Sequence, residues 1–142
     1  MIRDTNNKPL TYMKSFPKNF QKVVDYLKDN CDVDVKLGGT TAYLGMGLRR
    51  IFIHHNHNLE KNGLYALLHE AGHVLQDDTQ FGPNHYKRID DTEQPKKYNM
   101  YQFMNEVNAW DNGYDLALEL GIKIDKKSWG KLKEESLLTY YV

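Results

Sequence analysis

With one cysteine, Cys31, in 142 residues, the chain cannot form an internal disulfide or a multi-cysteine zinc site, which leaves histidines and carboxylates as the possible metal ligands. No apolar run approaches the length of a membrane-spanning helix. The opening MIRDTNNKPLTYMKSF lacks the basic start and apolar stretch of a secretory signal, so a cytoplasmic setting is expected. An excess of one charge is missing too: Lys+Arg and Asp+Glu stand at 19 each, leaving no global basic field to draw the chain to nucleic acid or anionic lipid. Neither partner is expected. There are no repeats or low-complexity tracts.

What is present fits one ordinary globular domain spanning residues 1–142, with 40% apolar and 27% charged residues. Residues 1–14 mix Asn, Lys, Pro and Thr without a period and are expected to form a flexible arm. From Ser15, a possible N-cap, Phe16, Phe20, Val23, Val24 and Leu27 recur at helical spacing. Val33 to Leu37 alternates, a Gly38-Gly39 turn follows, and Thr41–Leu44 and Arg49–Ile53 complete three expected strands of a small antiparallel sheet. Leu64, Leu67, Leu68, Ala71 and Leu75 then mark a helix. Residues 78–97, with Gly82, Pro83, Pro95 and many charges, read as a long loop. Tyr101, Phe103, Val107, Trp110, Tyr114, Ala117, Leu118 and Leu120 define a long helix ending at Gly121, and a terminal helix runs from Lys126 through Leu137. The expected fold class is α+β.

Chemistry is concentrated in His69-Glu70-Ala71-Gly72-His73. Residues four apart share a helix face, so His69 and His73 can offer two imidazole nitrogens to one ion at about 2.0–2.1 Å. Glu70 is rotated about 100° from His69, which leaves it free to face a water activated by the ion and act as general base. With six histidines and seven glutamates in the chain, chance supplies about 0.01 copies of this pattern. The apolar surroundings Leu67-Leu68 and Val74-Leu75 add to its weight, since unpaired polar groups there would be costly. A catalytic zinc takes three protein ligands and keeps one position open. Glu106, on the later helix and followed by the small residues Ala109 and Gly113, is the first choice for the third. Asp77, four residues after His73, competes with it, and Glu119, His85 and Asp111 stand behind.

These residues resemble the gluzincin metallopeptidases, in which a HExxH helix supplies two ligands and a separate glutamate helix the third. More narrowly, a strand, then Leu67-Leu68-His69-Glu70-Ala71-Gly72-His73-Val74-Leu75, then Asn105-Glu106-Val107-Asn108-Ala109-Trp110 resembles the minimal gluzincins and the ImmA/IrrE-type peptidases of bacteria and their phages. The likeness is one of motifs and covers roughly residues 48–120. It implies that His69, His73 and Glu106 bind Zn2+, that Glu70 is catalytic, and that the strand through Ile51-Phe52-Ile53 lies beside an extended protein or peptide substrate. Gln76 and Thr79 occupy the places of the metzincin glycine and third histidine, which argues against that branch. Trp110 stands where larger gluzincins often place a ligand-orienting aspartate, leaving Asp111 or Asn108 for that task.

The expected activity is zinc-dependent peptide hydrolysis. Its rivals are a non-catalytic metal-binding module for protein interaction and a latent peptidase whose 78–97 loop covers the cleft. His85, Tyr86, Tyr98 and Tyr101 flank the expected cleft and could stabilise an oxyanion. His54, His55 and His57 invite a second metal site but read more simply as solvated residues at a strand end.

Overall fold

The structure, a computed structural model, describes residues 16–44, 48–78 and 95–140, the side chains of 77, 78 and 95–99 excepted. The expected arm at 1–14, the proposed cap Ser15 and residues 79–94 of the expected loop lie outside this range. Among the described residues the order is α1 (Lys18–Cys31), β1 (Asp34–Gly38), β2 (Ala42–Leu44), β3 (Arg50–His54), α2 (Asn62–Asp78), α3 (Pro95–Glu119) and α4 (Lys126–Leu138). This is a small α+β fold. The segment read as a loop is narrower than expected at both ends: Asp78 still belongs to α2, and Pro95 opens α3. Proline suits that first helical position because its N–H is missing where no intrahelical acceptor exists and its φ is already helical.

α1 buries Phe20, Val23, Leu27 and Cys31, a stripe at intervals of three and four residues. It ends where Asp32 takes a left-handed φ of 54° and the Val33 N–H bonds back to the Leu27 carbonyl, turning the chain into β1. The sheet runs β1-β3-β2, and here the sequence expectation needs correction: the sheet is mixed, not antiparallel. β3 pairs parallel with β1, with Val35 opposite Ile51 and Leu37 opposite Ile53, and antiparallel with β2, with Tyr43 opposite Ile51. The physical reason is burial. Ile51 and Ile53 are fully buried and favour the centre of the sheet, whereas Lys36 and Leu37 of β1 are exposed and β2 is only three residues long. The Gly38-Gly39 segment therefore carries the chain to the opposite edge and leaves a gap that β3 fills.

One cluster of buried side chains joins the sheet and all four described helices, with Leu64, Leu67, Leu68, Ala71 and Val74 of α2 at its middle. α2 touches α1, β2, β3 and α3. Its contact with α3 is unusually close: a Cβ on Gly72 would lie 1.8 Å from the Ala109 carbonyl oxygen, and one on Gly113 would lie 2.4 Å from the Leu68 carbonyl oxygen. Only glycine lets these backbones meet. α3 stops at Gly121, as its sequence implied; with φ +71°, the Gly121 N–H reaches the Leu118 carbonyl and the Ile122 N–H reaches Ala117.

α4 is capped by Asp125, whose side chain accepts from the Lys127 N–H, while the Asp125 N–H itself donates to the Tyr65 hydroxyl of α2 at 3.0 Å. Trp129 meets Tyr65 and Trp110 edge to face at 5.3 and 4.9 Å, and Lys133 pairs with Asp111 of α3 at 3.0 Å. No helix among the described residues is long and apolar enough to cross a membrane.

Candidate metal centre

The α2 stripe that fills the core also aims the two histidines. Leu67, Leu68 and Ala71 fix which side of the helix faces inward, so His69 and His73, one turn apart, emerge together toward α3. The Gly72–Ala109 contact then decides how near α3 can come, and Glu106 sits one turn before Ala109. As a result, ligand atoms of His69, His73 and Glu106 all lie within 4.8 Å of one another. The Glu106 Oε2 is 2.6 Å from His69 Nε2 and 3.3 Å from His73 Nε2.

These distances bear directly on whether the three could share an ion. Two atoms bound tetrahedrally to one zinc at 2.0–2.1 Å stand about 3.3 Å apart. The His73–Glu106 separation already matches, and the His69–Glu106 pair would have to open by about 0.7 Å from its hydrogen-bonded contact. A Glu106 side chain with three rotatable bonds can absorb that change. Nitrogen, nitrogen and carboxylate oxygen also form a donor set that zinc accepts.

Neighbouring groups orient each ligand. The His73 Nδ1 is bonded to the Gln76 amide oxygen at 3.0 Å, and Gln76 Nε2 donates in turn to the Asn105 carbonyl at 2.7 Å, so His73 presents Nε2 to the centre. His69 Nδ1 lies 3.5 Å from Glu70 Oε2, again leaving Nε2 for Glu106. The Trp110 ring stacks on the His69 imidazole at 4.3 Å and 9°. On the far side of Glu106, the Tyr140 hydroxyl donates to Oε1 at 2.9 Å.

Electrostatics follow from burial and proximity. Burial alone would push the His73 pKa down, but the hydrogen bond and charge of Glu106, with Glu70 and Gln76, raise it to about 8. Burial works against the Glu106 carboxylate too, yet the two imidazoles hold it well below the usual carboxylate range. Glu70, only 8% exposed, is pushed up by burial against the opposing pull of His69 and His73. Its carboxylate also takes a backbone hydrogen bond from Tyr43 of β2.

Four residues named from the sequence, His69, Glu70, His73 and Glu106, thus come together in space. The others do not join them. The side chain of Asp77, the rival third ligand, lies outside the described residues, as do His85, Tyr86 and the side chain of Tyr98. Glu119 is exposed at the other end of α3, beside Tyr26. Asp111 pairs with Lys133, so neither it nor Asn108 supplies a described bond to a ligand; Gln76, Trp110 and Tyr140 make those contacts. Tyr101 is half-buried in the first part of α3. His55 stacks on His54 and His57 meets His54 edge-on, with ring nitrogens of His54 and His55 bonded to the Asn56 N–H and the Gly38 carbonyl, and the three form no ligand cluster among the described residues.

The strand expected beside a substrate, β3, is the central strand of the sheet. β3 is paired on both edges, so it has no backbone groups to offer. β2 is the edge strand next to α2, and its Tyr43 N–H bonds to the Glu70 carboxylate. A lone tyrosine near a helix end carries no spacing signal, so Tyr140 is not legible in the sequence, and Gln76 and Trp110 stand there only as departures from the motif patterns of other zinc peptidases. In comparisons with protein-family models, curated proteins and solved structures, the chain matches none.

Proposed function

We propose that the chain is a zinc-dependent peptidase that hydrolyses peptide bonds in a protein or peptide substrate. The observation that carries this reading is the convergence of His69 Nε2, His73 Nε2 and Glu106 Oε2, with the buried Glu70 carboxylate alongside. Zinc held by those three would supply Lewis acidity, making water a stronger acid and a substrate carbonyl a stronger electrophile. Glu70 would take the proton as the water oxygen bonds to the carbonyl carbon, then pass it to the nitrogen as the C–N bond breaks. Burial favours the first half of this role, because a carboxylate whose pKa is raised takes up a proton more readily.

The test is metal analysis and cleavage of a broad peptide library by the wild type and Glu70→Gln. One equivalent of zinc is expected in both, with cleavage slower in the variant by about 10²–10⁴-fold. A wild type that retains zinc but cleaves nothing would favour the metal-dependent interaction module. A wild type that binds no zinc would remove the basis of both.

A further inference from the structure

Glu106 is engaged from two sides, and the two sides ask different things of it. Oε2 faces both imidazole Nε2 atoms at 2.6 and 3.3 Å, whereas Oε1 accepts the Tyr140 hydroxyl at 2.9 Å. A carboxylate can ligate through one oxygen or chelate through both. Chelation here would fill the position that a catalytic ion keeps open.

Tyr140 reaches Oε1 because α4 is fastened along one face. Asp125 binds the Tyr65 hydroxyl, Trp129 packs on Tyr65 and Trp110, and Lys133 pairs with Asp111, at successive intervals of four residues. Past the end of α4, the Tyr140 N–H bonds to the Leu137 carbonyl, keeping the chain coiled for one more turn. That turn delivers the phenol to the distal oxygen of a residue on α3.

We propose that Tyr140 is the positioning residue of the Glu106 ligand: by occupying Oε1 it confines coordination to Oε2 and keeps the fourth position of the ion open. This rests on the zinc reading above. It assigns a role in the metal site to the last described turn of the chain, 34 residues beyond Glu106.

The experiment compares wild type and Tyr140→Phe, which keeps the ring and removes the hydroxyl. Zinc affinity is measured by competition with a chromophoric chelator, and the visible spectrum is recorded after loading with Co2+. The wild type is expected to bind one equivalent and give the intense bands of a four-coordinate ion. The variant is expected to bind zinc roughly 10–100-fold more weakly and to show the fainter bands of a five-coordinate ion, as Glu106 becomes free to chelate. Its metal-free form should melt in the same cooperative transition as the wild type. Unchanged affinity and spectrum would overturn the proposal, as would a weakened affinity accompanied by an equal loss of metal-free stability. Failure of the wild type itself to bind zinc would instead remove the zinc reading, and this proposal with it.

Discussion

Replacing Gly72 with alanine is expected to destabilise the protein, while the same change at Gly130 is expected to stabilise it. Both glycines lie inside helices, where alanine is ordinarily favoured by about 1 kcal/mol. At Gly130 nothing lies within 4 Å of the added Cβ, so that gain should appear in full. At Gly72 the methyl would stand 1.8 Å from the Ala109 carbonyl oxygen, only half a normal carbon–oxygen contact distance of about 3.5 Å. Because the obstacle is backbone, α2 and α3 must separate by more than an ångström. Overpacking of this kind costs about 1–3 kcal/mol and sometimes more, and the severity of this contact places it at the upper end. Subtracting the propensity gain leaves a net loss of about 2 kcal/mol. For a chain of this length that lowers Tm by roughly 6–10 °C, against a rise of roughly 3–5 °C for Gly130→Ala. The same separation would pull Glu106 from the histidines, and metal sites tolerate only about 0.2 Å, so zinc affinity should fall with stability. Calorimetric melting of the metal-free proteins and zinc titration check both effects. A Gly72→Ala protein that melts at or above the wild-type temperature would refute the close helix contact on which the site geometry depends.

Other outcomes follow from the same geometry. In the metal-free protein, His73 is raised from 6.5 to about 8, so it contributes stability that is complete below 6.5 and lost as pH rises through about 8. Glu106 is lowered from 4.5, so its contribution is present above 4.5 and lost as pH falls. Metal-free stability should therefore peak between about pH 4.5 and 6.5 and drop by about 1–2 kcal/mol by pH 9; a melting temperature that is flat or rising over that range contradicts the pairing. Zinc must displace the His73 proton, so binding at pH 7 should release protons, seen as a dependence of calorimetric heat on buffer ionisation enthalpy that Glu106→Gln reduces. Leu67→Ala, at a fully buried position in the middle of the core, should cost about 2–5 kcal/mol by denaturant unfolding; a loss under 1 kcal/mol would mean α2 is not the central helix.

The sequence spoke most clearly where one helix has to satisfy two requirements at once. His69 and His73 lie four apart on a stripe that Leu67, Leu68 and Ala71 pin to the core, so periodicity alone gave their shared direction. Glu106 was legible because Ala109 and Gly113 announce a close helix contact on α3, though Gly72, the partner glycine on α2, passed unremarked. Strand order was another matter. Alternation in Val33–Leu37 and Arg49–Ile53 reports which face of a strand is buried, but neighbours in a sheet are chosen by competition for the central place, which β3 takes through Ile51 and Ile53. Tyr140 escaped for a related reason, since its contact joins residues 34 apart through the docking of a whole helix and leaves no local trace.

The seam between α2 and α3 has a consequence for how such a chain can vary. Since the two helices are registered by Gly72 against Ala109 and Gly113 against Leu68, the spacing of His69 and His73 from Glu106 is set by that interlock and not by the covalent path linking them. A change in the number of residues between Asp78 and Pro95 then leaves the distance between imidazole and carboxylate untouched, so sequence spacing can diverge while the three side chains keep their geometry.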